Sequence, residues 1–312
     1  MSSHTRAWLQ IHFCVILWGF TAILGKLISL SALALVWWRM ALVSAALLLV
    51  KRFWVGLARL PPALIAIYAG IGVVVALHWF TFYASIKLSN ASVAATCMAL
   101  TPVFIAFVEP LLAQRSFDPR ELIFGLMVIP GVMLVVGGTP DGMRMGVGVG
   151  AASAFLVAIF ASLNKRFIAN SDVLAVTGIE MGAGVVMLTL ATLADSALLA
   201  GDRLFSLPSP RDALLLIALA LGCTLAPFAL SLVALRQLSA FSTALAVNME
   251  PIYAIILAVL LLGEQRELSI GFYVGVAIIL GVVFAHPWIS DGRSHTRSPL
   301  TGAAAAARRG RG

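Results

Sequence analysis

Long apolar runs, broken by short clusters of charge, proline and glycine, cover the chain from Trp8 to about Trp288. A lipid-spanning helix needs about 20 apolar residues. The runs resolve into ten windows of roughly that length, near 8–28, 32–50, 63–86, 93–113, 122–138, 146–164, 173–194, 212–235, 242–262 and 269–288. This pattern predicts an all-α integral membrane protein with ten transmembrane helices joined mostly by very short loops. The longest internal gap, 195–211, carries Asp195, Asp202, Arg203, Pro208, Pro210 and Arg211. Residues 289–312 are polar and then Ala/Arg/Gly-rich, lack apolar periodicity, and are expected to form a disordered cytoplasmic tail.

Composition supports lipid as the solvent. Hydrophobic residues make up 61% of the chain and charged residues 11%, against about 45–50% and about 25% in soluble domains. The net charge of +8 would suggest a nucleic-acid partner in a soluble protein. Here the basic residues flank apolar runs, so membrane topology explains them and no nucleic-acid partner is expected. With the N-terminus inside, Lys51, Arg52, Arg59, Arg115, Arg120, Lys165, Arg166, Arg236 and the arginines of the tail fall on one side. That side holds roughly two thirds of all Lys and Arg, which predicts an inner-membrane protein with both termini cytoplasmic. The run from Trp8 follows His4 and Arg6 as a signal peptide might open, but its length and the many runs after it make it an uncleaved first span. Cys14, Cys97 and Cys223 lie in apolar segments without CxxC spacing and read as small buried hydrophobes.

The chain echoes itself. Leu88-Ser89 leads into an Ala/Ser/Thr-rich helix start and then Thr101-Pro102, while Leu238-Ser239 leads into a similar start and then Glu250-Pro251. The echoes fall in the fourth and ninth windows. With five helices per unit, an odd number, the two copies point opposite ways in the membrane, an arrangement recurrent in transporters. The division is therefore 1–140 and 141–288, two inverted five-helix repeats, followed by the tail at 289–312.

An ionisable group at mid-membrane costs about 2.5–3.5 kcal/mol on insertion scales, so each such residue needs a reason. Arg39 in the second window suits an anionic substrate group or a structural carboxylate partner. Glu180, between Gly178 and Gly182, and Glu250, directly before Pro251, are candidates for proton coupling, with a structural hydrogen-bonded role as the alternative. His78 reads either as lining or as a structurally satisfied histidine. Trp18, Trp37, Trp38, Trp79 and Tyr253 are candidates for a cavity wall that stacks on substrate, and Asn248 for a hydrogen bond to substrate or to a neighbouring helix. Pro102 and Pro251 occupy matching places, and paired helix breaks point to a binding site. No GxxxxGK[ST], HExxH or GxSxG motif and no Cys/His metal set occurs, so ATP, a metal, a cofactor and enzymatic chemistry are not expected.

Taken together, Leu17-Trp18-Gly19 with Lys26, Arg39 within Trp37-Trp38-Arg39, Leu88-Ser89, Pro102, Glu250-Pro251 and Leu261-Leu262-Gly263-Glu264 resemble the drug/metabolite transporter superfamily, in particular its ten-helix EamA-like exporters. The motifs cover the chain up to about 288. One departure stands out: where the first repeat of relatives usually carries a glutamate like Glu264, this chain has Arg115, with Glu109 earlier. The resemblance implies a central cavity between the repeats, alternating access, and export of a small metabolite such as an amino acid or related amphiphile, in a monomer or homodimer. It leaves an organic-phosphate or nucleotide-sugar exchanger as the second expectation.

Overall fold

The computed structural model describes residues 3–113, 116, 119–194, 207–247 and 249–290. Asn248, Arg115, most of the 195–211 gap and all but the start of the tail lie outside the described residues. The elements are α1 (Ser3–Leu27), α2 (Ala32–Leu48), α3 (Lys51–Leu57), α4 (Pro62–Leu88), α5 (Ala91–Met98), α6 (Thr101–Leu112), α7 (Pro119–Gly138), α8 (Arg144–Phe167), α9 (Val173–Ala194), α10 (Pro210–Ile217), α11 (Ala226–Leu235), α12 (Ala240–Val247), α13 (Glu250–Leu257) and α14 (Ile270–Ser290). A π-helical stretch, Ala218–Leu225, joins α10 to α11, and a second, Ala258–Leu262, extends α13. The described residues hold no strand. In a bilayer that is the expected economy, because a helix satisfies its backbone polar groups within itself.

Helix occupies each of the ten windows. Six helical stretches are long and apolar enough to span a membrane by themselves, and a seventh counts if α2 and α3 are taken together. Met127–Gly138, Glu250–Leu262 and Ile270–Val282 are shorter apolar helices. The sequence reading missed α3, which turns 90° from α2. Lys51 and Arg52 at its start and the prolines after it hid a helix too short to show periodicity. The outer surface is apolar: Leu9, Phe13, Ile16 and Phe20 form an exposed stripe along α1, a face that suits acyl chains rather than water.

Packing between the two halves maps onto itself when they are exchanged. The α1–α11 seam has its counterpart in α4–α8, and α1–α13 has its counterpart in α6–α8. Three seams are their own counterparts: α2–α9, α7–α14, and the pair formed by α5 on α13 and α6 on α12. In the last of these the first part of one broken helix meets the second part of the other, so the two run antiparallel.

Glycines permit the closest seams. A Cβ on Gly275 of α14 would lie 2.6 Å from the carbonyl oxygen of Gly131 on α7. A Cβ on Gly19 would lie 2.9 Å from Cβ of Tyr253, which lets α13 approach α1. The Gly178/Gly182 pair is not one surface: Gly178 accommodates the ring of Phe53 on α3, while a Cβ on Gly182 would meet open space. The tight α4–α9 approach comes from Gly72, where a Cβ would overlap the backbone of Glu180. Gly72→Ala is therefore expected to cost about 1–3 kcal/mol, read as a lowered unfolding temperature of the detergent-solubilised protein.

The bundle has two ends. At one, α1 and α4 finish near Leu27 and Leu88, and Lys87 Nζ donates to the Ile28 carbonyl at 2.6 Å. Ties between the halves gather there. Ser85 Oγ donates to the Gly146 carbonyl at 2.7 Å. Asp212 accepts from both the backbone N–H and the hydroxyl of Ser29. Glu264, buried at 2% exposure, caps the start of α5: it accepts from the N–H groups of Ala91 at 3.0 Å and Ser92 at 2.9 Å and from Ser92 Oγ at 2.7 Å. At the other end, Lys165 Nζ donates to the carbonyls of Leu235 and Leu238, and Tyr68 bonds to the Phe167 carbonyl and Ser171. Hydrogen bonds to a charged group contribute about 1.5–3 kcal/mol. Glu264→Ala is accordingly expected to lower thermal stability by about 2 kcal/mol or more, with Glu264→Gln recovering part of it.

Candidate functional site

A cavity of about 130 Å³ lies where the halves meet. Two prolines help to make it. Pro102 and Pro251 are each the second residue of a helix that follows an interruption, at Ala99-Leu100 and at Met249 respectively. A proline has no N–H to donate to the carbonyl four residues back, so the carbonyls of Met98 and Val247 lose their helical donor. Both of these residues line the cavity, as do Thr101 and Glu250, which directly precede the prolines.

Arg39 occupies the centre at 3% exposure. Its Nε donates to Thr224 Oγ1 at 2.6 Å and Nη1 donates to Tyr83 OH at 2.8 Å. Its guanidinium carbon lies 3.8 Å from the centroid of the Trp79 ring, a cation–π contact that strengthens when water is excluded. Thr224 in turn donates to the Leu219 carbonyl, which fixes the hydroxyl inside the π-helical stretch. Five N–H donors sit on a guanidinium, and these bonds use only part of the set. Glu250, 8% exposed, borders the same cavity. It makes no ion pair with Arg39 and no hydrogen bond within the described residues. One cation and one carboxylate therefore face a shared space without direct contact.

The remaining candidates divide. Trp18, His78 and Trp79 line the cavity with Arg39 and Glu250. His78 also serves the packing: its Nδ1 lies 2.8 Å from Ser153 Oγ, which donates back to the His78 carbonyl. Tyr253, 37% exposed, sits at the α1–α13 contact and is not part of the lining. Trp37 donates through Nε1 to Thr189 of α9 at 2.9 Å, and neither it nor Trp38 is part of the lining.

Glu180 also stands apart from the cavity. It is fully buried between α4, α8 and α9, and the amide of Asn164 faces it. Even so, both its carboxylate oxygens, both amide atoms of Asn164 and Thr177 Oγ1 lack a hydrogen-bond partner of good geometry among the described residues.

The lining has an internal order that single-residue reasoning missed. Trp18 and Thr21 on α1 stand the same distance in sequence from Val157 and Phe160 on α8. Trp79 and Phe82 on α4 stand a common distance from Phe228 and Ser231 on α11. That same distance separates Met98 and Thr101 from Val247 and Glu250. The spacing of Pro102 and Pro251, applied to Trp79, finds Phe228 from sequence alone, whereas the α1–α8 pairs stand at a shorter spacing that the echo does not give.

The lining also includes Ile105, Ala161, Leu235 and Thr243, toward the Phe167 end. By the same spacing their mates are Ala254, Ala22, Ile86 and Ala94, all fully buried and none of them lining the cavity. The cavity thus extends toward the Phe167 end and stops short of the Leu27 end.

An apolar exterior, two mutually exchangeable halves and a charge-bearing cavity between them define a polytopic membrane transporter. Both halves, over 6–137 and 144–285, match the model of the EamA-like transporter family. The chain belongs to that family, within the drug/metabolite transporter superfamily, whose members are transporters rather than enzymes. One solved crystal structure, described only as that of a protein, is similar to it with a TM-score of 0.64 at 17% identity, covering 92% of this chain and 99% of that one. At that identity the likeness is one of fold. Comparison with curated proteins gave no match.

Proposed function

We propose that the protein is a secondary transporter that exports a small metabolite, an amino acid or related amphiphilic compound, across an inner membrane by alternating access. The observation that carries this reading is the coexistence of Arg39 and Glu250 on one cavity without an ion pair between them. A zwitterion supplies the opposite charge to each, and Trp18, Trp79, Phe160 and Phe228 offer aromatic surface to its side chain. Ten spans, as two inverted five-helix repeats over 1–140 and 141–288, with both termini cytoplasmic, place the Phe167 end on the cytoplasmic side. Glu250 on the cavity and Glu180 in the packing of α9 are the carboxylates for coupling export to proton entry. The lipid bilayer is the solvent, and either a monomer or a homodimer fits.

An organic-phosphate or nucleotide-sugar exchanger ranks second. A phosphate dianion calls for several converging cations, and Arg39 is the sole Lys or Arg among the described residues of the lining. Purified protein in vesicles with a defined proton gradient tests the proposal by counterflow of radiolabelled amino acids against sugar phosphates. Counterflow of amino acids supports the first reading. Exchange of phosphates alone overturns it.

A further inference from the structure

Arg39 has a counterpart that the cavity omits. Arg39 and Glu180 stand at the same step from the first residue of their helices, Ala32 of α2 and Val173 of α9, and these two helices pack on each other across the exchange of halves. Several other lining residues have their repeat mates in the lining. Glu180 is instead enclosed with Asn164 against it, and neither carboxylate oxygen has a hydrogen bond of good geometry. A carboxylate sealed in lipid-embedded packing without an ion pair is costly, and its position is explained if the enclosure belongs to one access state alone.

We infer that Glu180 is the second half of the binding site: when the cavity opens to the Leu27 end, the halves exchange roles, Glu180 enters the lining, and Arg39 is enclosed in its place. The chemistry changes sign with the exchange. A carboxylate suits a cationic ligand group, whereas the guanidinium of Arg39 suits an anionic one. The substrate is then gripped mainly by its anionic part in the state described and mainly by its cationic part in the other. This rests on the alternating-access reading above.

Thiol labelling of the full-length protein separates the possibilities. The buried Cys14, Cys97 and Cys223 are replaced by alanine. Thr243→Cys then reports the present cavity, while Glu180→Cys and, with Glu180 retained, Ala94→Cys at the repeat mate of Thr243 report the side now closed. Membrane-impermeant methanethiosulfonates, one cationic and one anionic, are applied to sealed membranes of each orientation. Modification of Thr243→Cys from the Phe167 face and of Glu180→Cys and Ala94→Cys from the Leu27 face is expected. Ala94→Cys should react about tenfold faster with the cationic reagent, a preference lost when Glu180→Gln is added. If Thr243→Cys reacts but the thiols at Glu180→Cys and Ala94→Cys stay unmodified, or react only from the Phe167 face, the inference is overturned and the transporter reading stands. If Thr243→Cys reacts from neither face, there is no vestibule and both fall.

Discussion

Arg39→Ala is expected to abolish transport while the protein still inserts and folds. Removing a desolvated charge that meets an opposite charge costs about 2–5 kcal/mol, and every 1.4 kcal/mol is tenfold in binding. Initial rates in reconstituted vesicles should therefore fall by roughly thirtyfold to a few thousandfold. The retained scaffold is specific: Trp79 stays packed against Phe228 with ring centroids 6.1 Å apart, and Thr224 keeps its bond to the Leu219 carbonyl. Arg39→Lys keeps the charge but not the planar fork that reaches Thr224 and Tyr83 together, so it should recover only part of the rate. Wild-type flux in Arg39→Ala, with the variant eluting as a single folded species, rules out this residue as a substrate ligand.

Glu250→Gln carries the second-largest expected effect. The substitution keeps shape and removes the charge at a position bordering the cavity and directly before Pro251. Loss of a charged hydrogen-bonding partner is worth about 1.5–3 kcal/mol, or roughly ten- to a hundredfold in rate. Concentrative transport driven by an imposed proton gradient should disappear. Two measurements check the assignment: substrate accumulation under the gradient, and proton uptake reported by a trapped pH dye. Undiminished accumulation with undiminished proton flux removes Glu250 from both roles.

Much of this was legible in the chain because lipid imposes simple rules. Apolar windows marked the helices, and the echo of Thr101-Pro102 with Glu250-Pro251 marked both the duplication and the interrupted helices. What stayed hidden depended on angle rather than depth. Arg39, Trp37 and Trp38 are neighbours in one helix, yet Arg39 turns to the cavity while Trp37 reaches Thr189. Glu180 and Glu250 read alike as buried carboxylates, and only packing separates the enclosed one from the one on the cavity. The partners that hold Arg39, Tyr83 and Thr224, carry no motif. Thr224 becomes a partner through the π-helical stretch, whose wider turn lets its hydroxyl reach the Leu219 carbonyl five residues back, a distortion that apolar periodicity does not encode.

The glycine seam between α7 and α14 has a consequence for how a duplicated gene can diverge. Gly131 and Gly275 face each other so closely that neither has space for a methyl group. A mutation in one copy is therefore felt at once by the other, and relief has to come from across the seam. Positions that make no such contact across the halves are freer to drift. Here the two copies are bound to a shared history.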